Sequence, residues 1–368
     1  MPKSKVYFTN MWVSDEENLQ AKLKRLILAA GFSSIDFDRK FAAIKIHFGE
    51  MGNLSYLRPN YARTVVDMVK EEGGKPFLTD ANTLYVGYRK NALDHLETAY
   101  TNGFSPFSTG CHIIIADGLK GTDEAIVPVP NGTALKKAKL GRAFMDADVV
   151  ISLTHFKCHE LTGIGGAIKN IGMGAASRAG KMEQHTNGKP AVDHALCIGC
   201  GKCVQTCAVS APKVTGGKAT IDPQLCVGCG RCIGVCPTDA IEPTGSNANE
   251  DLSVRMAEYT VAALTGRPHF HISLVMQVSP LCDCHGSNDV AIVPDVGMFA
   301  SFDPVALDQA CAEAVNRQPI QLGSVLERSK STVADYFTRI HPETNWHVQL
   351  HHCAELGLGS LEYDLVEI

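Results

Sequence analysis

The chain has 368 residues, 45% hydrophobic and 20% charged, with a formal net charge of −5 from 34 basic and 39 acidic side chains. Such a length suggests about two domains with a sizeable core and excludes a disordered chain. The acidic balance argues against a general nucleic-acid binder, which needs a basic face to displace counterions from phosphate.

The opening "MPKSKVYFTNMW" passes from two lysines into a strand-like run without the apolar core of a signal peptide, and no window reaches the length of a membrane span. The expectation is a cytoplasmic protein with no membrane insertion. In that compartment fourteen cysteines read as thiols or metal ligands rather than disulfides.

Further along, "FAAIKIHF" (41–48), "KPFLTD" (75–80), "CHIIIADG" (111–118), "DVVISLTHF" (148–156), "FHISLVMQVS" (270–279) and "VAIVPDVG" (290–297) are apolar, β-branched runs of strand length. Helical patterns alternate with them: "PNYARTVVDMVKEEGG", "RKNALDHLETAYTNG", "NEDLSVRMAEYTVAALTG" and "DPVALDQACAEAVN". This alternation predicts an α/β fold with a mostly parallel sheet covered by helices on both faces.

Between these halves lie Cys197, Cys200, Cys203 and Cys207, then Cys226, Cys229, Cys232 and Cys236, the same C-x2-C-x2-C-x3-C run repeated at an offset of 29 (226 − 197). Three thiolates on a tight loop can take three irons of one cubane while the fourth turns to a second. Zinc would use two separated pairs per site and leaves the third and fourth cysteines of each run unexplained. Residues 190–246 resemble bacterial two-cluster ferredoxins. That resemblance implies one [4Fe-4S] cluster on Cys197, Cys200, Cys203 and Cys236 and another on Cys226, Cys229, Cys232 and Cys207. A pair of adjacent clusters is wasteful for mere stapling, which favours electron transfer over a structural role. The first run departs from the family pattern at Ala208, where a proline is usual, which is expected to loosen its turn. The expected organisation is an α/β body of residues 1–189 and 247–368 with the 190–246 module inserted, entered through "SRAGKMEQHTNGKPAVDHA" and left through "EPTGSNANE".

In parallel sheets ligands gather beyond the carboxyl ends of the strands. There the sequence offers Lys45, His47 and Arg58, then Asp80, Asn82 and Arg89, then His155, Lys157, His159 and Lys169, and later Asp295. Taken singly each reads as a structural residue, and Asp303 before Pro304 reads as a helix N-cap. The Gly-rich "TGIGGAIKN" fits neither a Walker loop nor a dinucleotide fingerprint, though it could offer backbone N–H groups to an anion. Together the set predicts a cationic pocket for a small anionic ligand, with His47, His155 and His159 as proton donors. In "CDCHG", Cys282 and Cys284 flank Asp283; in an extended chain their sulfurs would face one side and, with His285, form an extra metal or redox site. The competing reading is buried free thiols.

The segments "KIHFGEMGN", "FLTDANTLYVGYR", "HELTGIGGAIKN", "CDCHG" and "VPDVGMFASFDPVALD" resemble iron-sulfur proteins in which a domain of unknown function numbered 362 encloses a two-cluster ferredoxin insert. This resemblance implies the same architecture and clusters. Three functions remain open: an oxidoreductase passing low-potential electrons to a small anionic substrate or bound redox centre, with a metal or flavin as possible further cofactor; an electron carrier or redox sensor that docks a redox partner protein; and a non-redox enzyme with structural clusters.

Overall fold

The computed structural model describes residues 3–85, 87–185, 189–243 and 249–368. Parts of both expected linkers, at 186–188 and 244–248, lie outside the described residues. The central sheet contains β1 (Ser4–Asn10), β2 (Phe41–Lys45), β3 (Lys75–Asp80), β4 (Ile113–Ile115), β5 (Val149–His155), β6 (His269–Val275), β7 (Gly297–Ser301) and β8 (Tyr363–Glu367). Their spatial order is β8-β1-β7-β6-β5-β2-β3-β4. Neighbours are parallel except that β7 runs against both β1 and β6.

Side-chain alternation divides the core between the two faces of the sheet. Along β5, Val149, Ile151 and Leu153 pack with α1 (Leu19–Ala29) and α2 (Pro59–Glu71), while Val150 points into a separate cluster on the other face. Next in sequence come α3 (Ala92–Thr101), α4 (Ala167–Gly172), α5 (Arg178–His185), α6 (Asn249–Leu264) and α7 (Pro304–Asn316). Capping chemistry starts several helices: Asn91 accepts from the N–H groups of Leu93 and Asp94, and Asp303 from those of Val305 and Ala306.

Two expected strands change. "CHIIIADG" contributes only its three central residues as β4. "VAIVPDVG" forms no strand and β7 begins at its last residue, Gly297. Pro294 has no N–H for a ladder, and the run keeps only isolated bonds, such as Ile292 N to Val278 O, Val296 N to Val275 O and Gln321 N to Ile292 O, while Ile292 and Val293 are buried in the core.

The two cysteine runs fold alike. Each places a left-handed glycine between its first two cysteines, Gly199 and Gly228, and another before a five-residue helix, Gly201 and Gly230. Each then turns through a residue of positive φ, Ser210 (53°) or Asp239 (55°), so Ala208 leaves the first turn with the same form as the second. Their backbones cross over: Asp193 N donates to Ala240 O, and Asp222 N to Ala211 O. The start of each run is thereby tied to the end of the other.

Candidate functional site

Four adjacent parallel strands, β6, β5, β2 and β3, end at one edge of the sheet, and a cavity of about 450 Å³ lies beyond them. β2 delivers Lys45 and then His47; β3 delivers Asp80, followed by Arg89; β5 ends at His155. The next segment is a hairpin pairing Lys157–His159 with Gly163–Gly165. Its alternation sends Lys157 and His159 to the cavity and Cys158 into the core. Lys169 lies on α4, and Cys284 and His285 on the loop after β6.

Three expected ligand residues do not line it. Arg58 and Asp295 are exposed, Arg58 at the start of α2 and Asp295 accepting from Gln277 N at 2.6 Å. Asn82 is buried but binds Asp117 and Gly118 instead. The cavity also takes residues that strand-end reasoning did not single out: Glu50, Glu160, Glu242, and Lys181 and His185 from α5. The α5 residues lie within the stretch read as a linker. Their signal was its helical spacing, since Arg178, Lys181, Met182 and Gln184 are buried and Gly180 closes against Tyr259.

The cations are largely paired. Lys45 Nζ lies 2.8 Å from Asp80, Arg89 Nε 3.0 Å from Glu50 with Nη1 3.5 Å from Asp80, Lys157 Nζ 3.3 Å from Asp283, and Lys169 Nζ 3.6 Å from Cys282 Sγ. Against the penalty of burial, Lys45 and His95 hold the Asp80 carboxyl well below its ordinary range. The cavity is therefore not the purely cationic pocket expected from sequence. Among the described residues Lys181 lines the cavity with no carboxylate in contact, its Nζ donating to Ala176 O at 2.6 Å, whereas Arg89 Nη2 has no hydrogen-bond partner but is fully buried rather than open to the cavity. Burial lowers Lys181 to about 8. The helix start at α4 is no anion site, because its Ala167 and Ile168 N–H groups already donate to the Asp308 carboxylate of α7.

Among the histidines, His155 has both ring nitrogens occupied, Nδ1 by Asp283 and Nε2 by Met276 O. His47 accepts from Gly49 N at Nδ1, so its proton sits on Nε2, and burial with the nearby Arg89 keeps the ring neutral by holding its pKa well below the ordinary value. Burial pushes His185 down to about 3.

The sulfurs of Cys282 and Cys284 do fall on one side, but through a turn rather than an extended chain, with Cys284 N donating to Cys282 Sγ at 3.4 Å. Donor atoms of His159, Cys282 and Cys284 lie within 4.8 Å of one another, as do those of Glu160, Cys284 and His285. A hydrogen bond from the Cys284 thiol, joined by Lys169 and His159, holds Cys282 well below the usual thiol range despite its burial.

The eight cysteines of the two runs line two small cavities. Cys197, Cys200, Cys203 and Cys236 line one, and Cys207, Cys226, Cys229 and Cys232 the other. Backbone N–H groups of Ala219, Ala211 and Gly228 point at Cys197, Cys207 and Cys226 Sγ at 3.3 to 3.4 Å. Four sulfurs per cavity with N–H donors behind them form a thiolate set suited to a cubane. Arg178 of α5 packs over Gly230 and Gly234 beside the second set, where a Cβ on either glycine would collide with it.

No helix among the described residues is long and apolar enough to cross a membrane. Among curated proteins, none matches the chain. Similar solved structures include the lactate racemase apoprotein from Thermoanaerobacterium thermosaccharolyticum, at 11% identity and TM-score 0.37 over 74% of this chain and 51% of that one. Another is a protein from Thermotoga maritima, at 13% identity and TM-score 0.40 over 83% of this chain and 60% of that one. The chain thus spans about half to three fifths of the length of these structures. The family described as "Domain of unknown function (DUF362)" matches residues 42–313, a span that holds the four strands at the cavity, both cysteine runs and the Cys282–Cys284 turn, and the chain belongs to that family.

Proposed function

We propose that the protein is an iron-sulfur oxidoreductase: a ferredoxin-like module of residues 190–246 inserted in an α/β body of residues 1–189 and 247–368, which reduces a small anionic substrate in the large cavity. The observation that carries this reading is the sorting of eight cysteines into two crossed sets of four, one of which shares a wall with the large cavity. Ile241 lines the cavity of the first set, Glu242 lines the large one, and Leu84 belongs to the same buried apolar cluster as Cys197 and Cys203 while also lining the large one.

Bound in these sets, [4Fe-4S] clusters would supply low-potential single electrons. Leu84 and Ile241 keep the separating wall apolar and dry. Lys181 meets the substrate's negative charge, which grows as it accepts electrons. His47 Nε2–H donates a hydrogen bond to that developing charge while the neutral ring keeps its proton, since His155 has no ring nitrogen free for it. Exposed Ile198 and Val227, one in each cysteine loop, give a redox partner protein an apolar place to dock. A carrier or sensor that only docked a partner would leave the buried charges around the 450 Å³ cavity without a role.

The anaerobically purified protein is expected to hold about eight irons and eight inorganic sulfides per chain. After chemical reduction its paramagnetic signals should decay on addition of anionic oxidants small enough for the cavity, and more slowly in His47→Gln. Stoichiometric zinc without sulfide would discard the cluster reading, and decay unaffected by His47→Gln would discard the assigned hydrogen-bond donor.

A further inference from the structure

The turn carrying Cys282 and Cys284 is anchored through its middle residue. The Asp283 carboxylate meets His155 Nδ1 at 2.8 Å and Lys157 Nζ at 3.3 Å, and its carbonyl accepts from Glu50 N at 2.9 Å. With Asp283 held on that side, both sulfurs are presented on the other. Cys282 is 1% exposed, while Cys284 lines the cavity. Donors converge on Cys282 Sγ: Cys284 N at 3.4 Å and Lys169 Nζ at 3.6 Å.

His159 decides between metal and thiol chemistry. Its Nδ1 accepts from Leu161 N at 3.1 Å and Thr162 N at 3.2 Å, so the neutral ring carries its proton on Nε2. In that state Nε2 is a hydrogen-bond donor and has no lone pair for a metal. Removing His159 from the donor set leaves the two sulfurs. Glu160 and His285 pair with each other at 2.9 Å, and Glu160 does not reach Cys282 within the donor group it shares with Cys284. Two adjacent thiols, one held as thiolate by an ammonium, an amide and an imidazole N–H, are the reduced form of a dithiol.

We infer that Cys282 and Cys284 are a redox-active dithiol of the cavity that closes to an intramolecular disulfide against a small-molecule disulfide. Cys284, on the cavity side, passes its proton to Cys282 and attacks the small disulfide, releasing one thiolate and forming a mixed disulfide. Cys282 then loses that proton to the released thiolate and displaces the second thiolate. The Sγ–Sγ bond forms, the small S–S bond breaks, and two electrons pass to the small disulfide, which leaves as one thiol and one thiolate. Lys169 and His159 stabilise the reduced pair, which makes its disulfide readily reduced. This inference does not depend on the iron-sulfur reading above.

The test equilibrates the full, cluster-containing chain without oxygen in buffers of 2-mercaptoethanol and hydroxyethyl disulfide. The samples are alkylated, and the thiol state of each cysteine is read by peptide mass spectrometry. Cys282 and Cys284 should disappear together into one disulfide as the buffer becomes more oxidising, while Cys158 and Cys353 remain alkylatable after denaturation. Lys169→Gln should shift the midpoint toward more reducing buffer by about tenfold or more, a change that a merely structural role would not produce. Cys282→Ser should trap Cys284 as the mixed disulfide. Persistence of both thiols across the whole range would overturn the inference. So would a stoichiometric zinc or extra iron that a Cys282→Ser, Cys284→Ser double variant loses. Iron and sulfide measured in the same samples report separately on the eight other cysteines.

Discussion

Ile241 walls the small cavity of Cys197, Cys200, Cys203 and Cys236, and its neighbour Glu242 faces the large cavity. The two belong to one short strand, Ile241–Pro243, whose alternation points consecutive side chains to opposite sides. Under the iron-sulfur function proposed above, this strand is the partition between the first cluster and the substrate cavity.

Glu242→Gln should leave iron and sulfide content unchanged while raising the reduction potential of the cluster on this set. Removing a nearby negative charge favours the more negative reduced state, by on the order of tens of millivolts. A potentiometric titration followed by paramagnetic resonance reads the shift. No change at either cluster would mean that Glu242 and the first cysteine set are electrostatically insulated from each other.

Crossed ligation gives a separate prediction. Cys236→Ala should remove the cluster of Cys197, Cys200 and Cys203 and spare that of its sequence neighbours, and Cys207→Ala should do the reverse. The backbone bonds from Asp193 to Ala240 and from Asp222 to Ala211 are the mechanical reason, since they bring the last cysteine of each run beside the first cysteines of the other. Iron analysis with resonance spectra distinguishes the two variants. Loss of the neighbouring cluster instead would show uncrossed ligation.

Much of this arrangement was legible in sequence because it depends on period and spacing. Val149, Ile151 and Leu153 make one face of β5 apolar up to the terminal His155, and the 29-residue repeat of cysteines is explicit. Lys45, Asp80 and His155 were found because each ends a strand. Arg58 and Asp295 were misplaced because strand-end position does not tell which way a loop turns afterward. Lys181 and His185 were missed because a polar composition hid a short buried helix, whose charges are masked by cavity and carbonyl contacts rather than by solvent. The pairing of Lys157 with Asp283 and of Lys45 with Asp80 joins residues 126 and 35 positions apart (283 − 157 and 80 − 45), beyond what local pattern can show.

Arg89 bridges Glu50 and Asp80 with its side chain 2% exposed. Removing one partner of a buried ionic network leaves the others uncompensated, so Arg89→Ala should destabilise the fold by about 3–5 kcal/mol. Arg89→Lys should recover only part, because a single ammonium cannot reproduce the planar fork. Chemical denaturation of both variants at fixed cluster content checks this. A loss under about 1 kcal/mol for Arg89→Ala would place water, rather than a dry ionic network, around Glu50 and Asp80.

Asp308 supplies the pH prediction. Burial pushes its carboxyl up to about 7, although the Ala167 and Ile168 N–H groups favour the charged form. Its folded-state pKa therefore lies above its unfolded value of about 3.9. The contribution is fully present below the unfolded value and is lost as pH rises through the folded one, at up to about 1.4 kcal/mol per pH unit between them. Asp308→Asn keeps the shape and one acceptor oxygen but cannot ionise, so its stability should lack this slope. Measured in matched buffers, the melting temperature of Asp308→Asn relative to the unaltered chain should rise from about pH 5 to about pH 7 and level off above about pH 8. A difference that is flat across this range would mean that Asp308 is already charged at the lower end, and that the two N–H groups at the start of α4 outweigh its burial.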